Sequence, residues 1–164
     1  NLDGSFGVLL PPDMIDSYQY TVSFWMNQQA SFQFRPAYFA ARSPDRWQSF
    51  LPSSWNAELM LWSNWLEEDG SWPWLDGVTG VVYPVNEWHH IALSVNAGQF
   101  QIYYDGEQVG SGSGLEDMHT AKPDGSIITL GLNYWDAPLV AYIDEMKVYD
   151  VRTALEIGSI KFSS

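Results

Sequence analysis

The 164-residue sequence contains no cysteine, which excludes disulfide bracing, thiolate catalysis and thiolate metal sites. Basic residues are scarce: 7 Lys and Arg stand against 20 Asp and Glu, a formal net charge of −13 at pH 7. Nucleic-acid binding needs a basic stripe that neutralises phosphates. The few basic side chains here are scattered, so nucleic acid, heparin and anionic membrane surfaces are disfavoured as partners. No apolar run approaches the roughly 18 residues of a membrane helix, and no membrane insertion is expected. Internal repeats, low-complexity tracts and linkers are missing too. The opening Asn1-Leu2-Asp3-Gly4 has neither a basic n-region nor an apolar h-region. It reads as a piece of a longer chain, which leaves export open.

What is present is ordinary globular material: 46% hydrophobic against 16% charged residues, enough to fill one core. A single domain over residues 1–164, excised from a larger protein, is expected. Trp88–Val95 places Ile91, Leu93 and Val95 on one face, and Phe100, Ile102 and Tyr104 alternate after the Asn96-Ala97-Gly98 turn. Asp105-Gly106 suits a type I′ hairpin, which needs positive φ at both positions. Further strands are expected at Phe6–Leu10, Tyr20–Met26, Tyr38–Ala41, Gln48–Leu51, Glu58–Trp62, Val78–Tyr83, Ile127–Leu132 and Val140–Tyr149. The Gly110–Gly114 stretch is expected to be a loop. Only Thr153–Ile160 has a pattern fit for a short C-terminal helical turn. About ten short strands between Gly, Pro, Asn and Asp clusters predict an all-β, two-sheet antiparallel β-sandwich of jelly-roll type.

Several ordered segments resemble the laminin-G-like branch of the concanavalin A-like lectin/glucanase superfamily. They are Tyr20-Thr21-Val22-Ser23-Phe24-Trp25-Met26, Glu87-Trp88-His89-His90-Ile91-Ala92-Leu93, and the Tyr103-Tyr104-Asp105-Gly106 hairpin. Gly131 followed by Ile143-Asp144-Glu145-Met146-Lys147-Val148-Tyr149, then Leu155-Glu156-Ile157, completes the series. The resemblance implies a sandwich that in different members serves as lectin, adhesion module, carbohydrate-binding module or glycosidase.

In the last strand Val140, Tyr142, Asp144, Met146 and Val148 form the more apolar set, which places Asp144 on the core-facing stripe. A buried carboxylate needs a partner. The resemblance implies a structural calcium at Asp144, with help from the first strand; Asp3 and Gly4 are the candidate contributors. The alternative is that Asp144 accepts hydrogen bonds from backbone amides or a tyrosine.

Nine tryptophans are an unusual stock. Trp25 and Trp88, inside the two best family-like strands, are expected in the core. Trp47, Trp55, Trp62, Trp65, Trp72 and Trp74 crowd into one stretch, and Trp135 follows in a late loop. One core cannot easily bury so many indoles, because each buried N–H needs a partner. Trp72 and Trp74 would share a side of an extended tripeptide, about 7 Å apart. Indoles stack on the C–H faces of sugar rings, while hydroxyls need polar partners. Asn64, Glu67, Glu68, Asp69 and Asp76 are candidate acceptors; Asn133, Gln48, Arg42 and Arg46 are candidate donors. The expected binding residues are therefore Trp47, Trp62, Trp65, Trp72, Trp74, Trp135, Asn64 and Asn133. The competing reading is a satellite apolar cluster under a long loop, or a protein-contact patch at Asn133–Asp136.

Glycoside hydrolysis needs two carboxylates about 5 to 9.5 Å apart. The E-x-D-x-E run of the glucanase relatives has no counterpart, since Glu67-Glu68-Asp69 is contiguous and Asp144-Glu145 are neighbours. His89 and His90 diverge in a strand and are expected to be structural. The expectation is a non-catalytic, secreted or cell-surface carbohydrate-binding module that holds an appended glycoside hydrolase near a neutral polysaccharide. A laminin-G-like adhesion module that binds protein is the alternative.

Overall fold

A computed structural model describes residues 2–120 and 126–150. The strands are β1 (Leu2–Asp3), β2 (Val8–Leu10), β3 (Gln19–Gln28), β4 (Tyr38–Ser43), β5 (Arg46–Leu51) and β6 (Glu58–Trp65). They continue with β7 (Trp74–Val82), β8 (Trp88–Asn96), β9 (Gln99–Tyr104), β10 (Glu107–Ser113), β11 (Ile127–Leu130) and β12 (Val140–Asp150). Two six-stranded sheets result, with orders β1-β12-β3-β8-β9-β10 (the first sheet) and β2-β11-β4-β5-β6-β7 (the second). Every pairing is antiparallel. The two-sheet sandwich expected from the strand count is what forms; the expected helical turn over Thr153–Ile160 lies outside the described residues.

Period-two alternation builds the core. Tyr20, Val22, Phe24 and Met26 of β3 meet Ile91, Leu93 and Val95 of β8 and Phe100 and Ile102 of β9. Across from them lie Tyr38 and Ala40 of β4, Phe50 of β5 and Leu59 and Leu61 of β6. At one end a Cβ on Gly77 of β7, across the sandwich, would meet the Phe100 ring at 2.8 Å, and one on Gly112, the neighbour of Phe100 in register on β10, would meet it at 2.6 Å. Gly110–Ser113, expected as loop, is therefore strand: its small residues pass over an aromatic that anything larger would displace. Asp105 and Gly106 take φ of 49° and 84°, as the hairpin requires. The Asp105 carboxylate then accepts from the His90 amide at 2.9 Å and lies 2.7 Å from His89 Nδ1, tying the hairpin to β8.

Three assignments change with register. Gln48, a candidate donor to ligand, is fully buried and donates to the Tyr20 hydroxyl at 2.7 Å. Burial raises the Tyr20 phenol well above its ordinary pKa, so it stays neutral and can accept. Trp25 and Trp88, expected in the core, lie on the solvent face of the first sheet at 37% and 46% exposure. Their parity explains it: Trp25 falls between the inward Phe24 and Met26, and Trp88 is out of phase with Ile91 and Leu93. Asp144 is likewise exposed. A bulge between Asp144 and Lys147, with Glu145 at φ 49°, breaks the alternation. Ile143 and Met146 pack toward the core instead.

Candidate binding face

The outer face of the second sheet is paved with rings. Register places Ala41 beside Trp47, Trp47 beside Asn64 and Asn64 beside Trp74. One step along, Phe39, Ser49, Trp62 and Asp76 form the adjacent row. Side chains in register on neighbouring strands lie about 5 Å apart, so indoles at these positions must touch. Trp62 and Trp74 stack at 5.3 Å with 22° between planes. Trp47 meets Trp62 at 4.9 Å, Trp135 at 5.0 Å and Trp74 at 6.0 Å, each edge to face. Trp47 itself is 4% exposed and forms the floor with Phe39.

Two loops extend the row. Asn133 accepts from the amides of Trp135 and Asp136 at 3.2 and 2.7 Å and donates to the Asp136 carboxylate at 2.7 Å. This Asx-type cap turns Trp135 and Tyr134 onto Phe39. Burial raises the Tyr134 phenol above its ordinary pKa. At the other end Phe34 packs on Trp55 at 4.5 Å and on Trp62 at 5.5 Å. Gln33 donates to the Trp55 carbonyl at 2.8 Å, which joins the two loops. Trp55, Trp74, Trp135 and Tyr134 keep about half their surface in solvent.

The expected site residues thus separate. Trp47, Trp62, Trp74 and Trp135 come together. Asn64 lies among them, buried, and donates to the Pro73 carbonyl at 2.9 Å, so it holds the chain entering β7. Asn133 shapes its loop. Trp72 is exposed in the segment before β7, outside the described ring contacts. Trp65 points the opposite way, against the core, with its indole N–H on Glu67 at 2.8 Å. Arg46 pairs with Glu116, and Arg42 donates to the Asp117 carbonyl at 3.3 Å; both serve the end of the sandwich rather than the ring face. Asp69 is occupied by Ser71, whose side chain first and amide second hydrogen-bond to the carboxylate and lower its pKa. Phe34 and Phe39 were not anticipated. Phe39 could have been, since it alternates with the inward Tyr38 and Ala40.

Two neighbouring polar atoms on this face, Trp62 Nε1 and Ser49 Oγ, are buried without a hydrogen-bond partner among the described residues. Such groups are uncommon and call for an explanation.

The expected calcium ligands do not converge. Asp3 is in register with Val140, whereas Asp144 lies four residues further along β12, about 13 Å away. Asp3 accepts from the Ser5 amide and Asp144 from the Glu145 amide, each at about its own turn. Among the described residues no group of three or more His, Asp or Glu side chains is placed to hold a metal.

The family model described as the concanavalin A-like lectin/glucanases superfamily matches residues 2–158. Domain 4 of AbnA, a GH43 extracellular arabinanase from Geobacillus stearothermophilus solved in complex with arabinotriose, is 35% identical, with a TM-score of 0.81. That match covers 91% of this chain and 68% of the other. The Ruminococcus gnavus IT-sialidase CBM40 bound to α2,3 sialyllactose is 17% identical at TM-score 0.59, covering 80% and 75% of the two chains. Domains LG4-5 of the mouse laminin alpha1 chain are 14% identical at TM-score 0.66, covering 89% of this chain and 40% of that one. These last two likenesses establish the fold alone. None of the curated proteins compared matches this chain.

Proposed function

Since the chain belongs to the concanavalin A-like lectin/glucanases superfamily, we propose that it is a non-catalytic carbohydrate-binding module whose ligand lies on the ring face of the second sheet. One observation carries this reading: Trp62, Trp74 and Trp135 are fixed around Trp47 on an outward sheet face, with Trp74 and Trp135 about half exposed. Exposed, locked indoles offer flat apolar platforms to the C–H faces of sugar rings. Asp76, in register with Trp62, supplies a hydroxyl acceptor at the edge. It is the single carboxylate in those registering rows, where glycoside hydrolysis takes two.

The 35% identity to an arabinanase domain solved with arabinotriose favours arabinose-containing oligosaccharides as ligand. An appended glycoside hydrolase acting outside the cell would gain local substrate concentration by this tether. Affinity gel electrophoresis with arabinan, xylan, mannan and β-glucan tests the proposal. Retardation by arabinan is the expected result. Unchanged mobility in all four would overturn carbohydrate binding and favour a protein-binding adhesion module.

A further inference from the structure

The solvent face of the first sheet carries a second aromatic patch, built differently from the first. Register sets Tyr142 of β12, Asn27 of β3 and Trp88 of β8 in one row, and Asp144, Trp25 and His90 in the next. Small Asn27 leaves room for the Trp88 and Tyr142 rings to lean together at 6.4 Å, and Trp25 packs edge-on against His90 at 5.5 Å. Trp25, Trp88 and Tyr142 are 37%, 46% and 42% exposed. Thr21, Ser23, Ser94 and Gln101 share this face, and its further rings by register, Tyr103 beside Ala92 and Tyr149 beside Thr21, lie outside these two rows.

The bulge in β12 contributes the polar half. Glu145, at φ 49°, is a non-glycine residue in the left-handed region, a conformation that costs energy and tends to sit where a side chain must be re-aimed. Its effect is to turn Asp144 and Glu145 outward together, beside Trp25. With Trp25 and Trp88 these carboxylates line a shallow, open depression of about 180 Å³.

We propose that this depression is a second glycan site, which takes one neutral sugar unit with a ring face on Trp25 or Trp88 and its hydroxyls donating to Asp144 and Glu145. The placement of charge decides between sugar and protein as occupant. Protein interfaces deplete carboxylates at their centres, whereas here two carboxylates sit inside the aromatic patch. A neutral sugar has both halves that such a pocket matches. Lys147 lies 3.3 Å from Glu145 and pairs with it, so repulsion of an anionic sugar rests on Asp144. Since the two patches lie on opposite sheets, one domain would then hold two glycan segments at once, or span two chains.

The site is independent of the proposal for the second sheet, and the test separates them. Arabinotriose, xylotriose and cellotriose are titrated into the intact chain while the indole N–H resonances are followed by NMR, assigned with Trp→Phe variants. The expected result is movement of the Trp25 and Trp88 signals that persists in Trp74→Ala and disappears in Trp88→Ala. Because both residues are exposed, a circular dichroism melt near that of the parent verifies that Trp88→Ala folds. Movement confined to Trp62, Trp74 and Trp135 would overturn this second site and leave the first standing. Movement confined to Trp25 and Trp88 would do the reverse. Stationary Trp25 and Trp88 signals at saturating concentrations of all three sugars overturn it in any case.

Discussion

Replacing Trp74 by alanine separates a platform from a packing residue. Trp74 is 56% exposed and stacks on Trp62 at 5.3 Å. A little under half of an indole surface of at most ~250 Å² is covered. At about 25 cal/mol per Å², and allowing for what alanine still buries, its removal costs about 2 kcal/mol of stability. For a domain of this size that lowers Tm by about 4 to 8 °C, so the variant remains folded at room temperature. Binding should suffer more. Aromatic platforms under stacked rings are worth about 1 to 3 kcal/mol by alanine substitution in nucleic-acid binders, which corresponds to a Kd rise of roughly 5- to 140-fold. Isothermal titration with arabinotriose reads the affinity, and a thermal melt reads the stability. Trp74→Phe, which keeps a smaller ring, should fall between parent and alanine variant. If Trp74→Ala melts lower as expected yet keeps the parent Kd, the ring serves packing alone and the assignment of this face is refuted.

Trp47→Ala removes a floor rather than a platform: a buried indole costs about 3 to 5 kcal/mol, so Tm should drop by roughly 6 to 20 °C, with binding lost as Trp62 and Trp135 lose their support. Burial is the main cause that lowers the His90 pKa below 6.5, joined by repulsion from Lys147 and opposed by Asp105 and Glu145. The folded state therefore binds fewer protons than the unfolded one just below pH 6.5, and stability is lost as pH falls through that window; His90→Gln should flatten this part of a Tm-against-pH profile. Dialysis against EDTA probes the expected calcium. With Asp3 and Asp144 apart, Tm should not move, and a fall of several degrees would mean that backbone carbonyls hold an ion.

Parity along the strands was readable from the residues alone, and it decides most of the fold. Tyr20, Val22, Phe24 and Met26 announce one face of β3, and the same count puts Trp25 outside. It was the family-like setting of Trp25 and Trp88 that suggested a core role, against their parity. Asp144 is a different case. The count there is broken by a bulge at Glu145, and a non-glycine residue with positive φ leaves no mark in the composition. Trp65 shares the polar stretch of its neighbours, yet it follows Leu59 and Leu61 in phase and so turns inward. The convergence of Trp47, Trp62 and Trp74 with Trp135 depends on strand order, because β5, β6 and β7 must be neighbours before the rings can meet. No local pattern encodes that adjacency.

The interlocking of those rings bears on the entropy of recognition. Each of Trp62, Trp74 and Trp135 is held against Trp47, so its rotamer freedom is surrendered during folding rather than at the moment of contact. Immobilising a free side chain at an interface typically costs about 0.5 to 1.5 kcal/mol. A partner arriving at this face meets surfaces for which that loss has already occurred. The remaining disorder to be lost belongs to the partner, and a chain already stiff in its bound shape would be favoured over a floppy one of equal contact area.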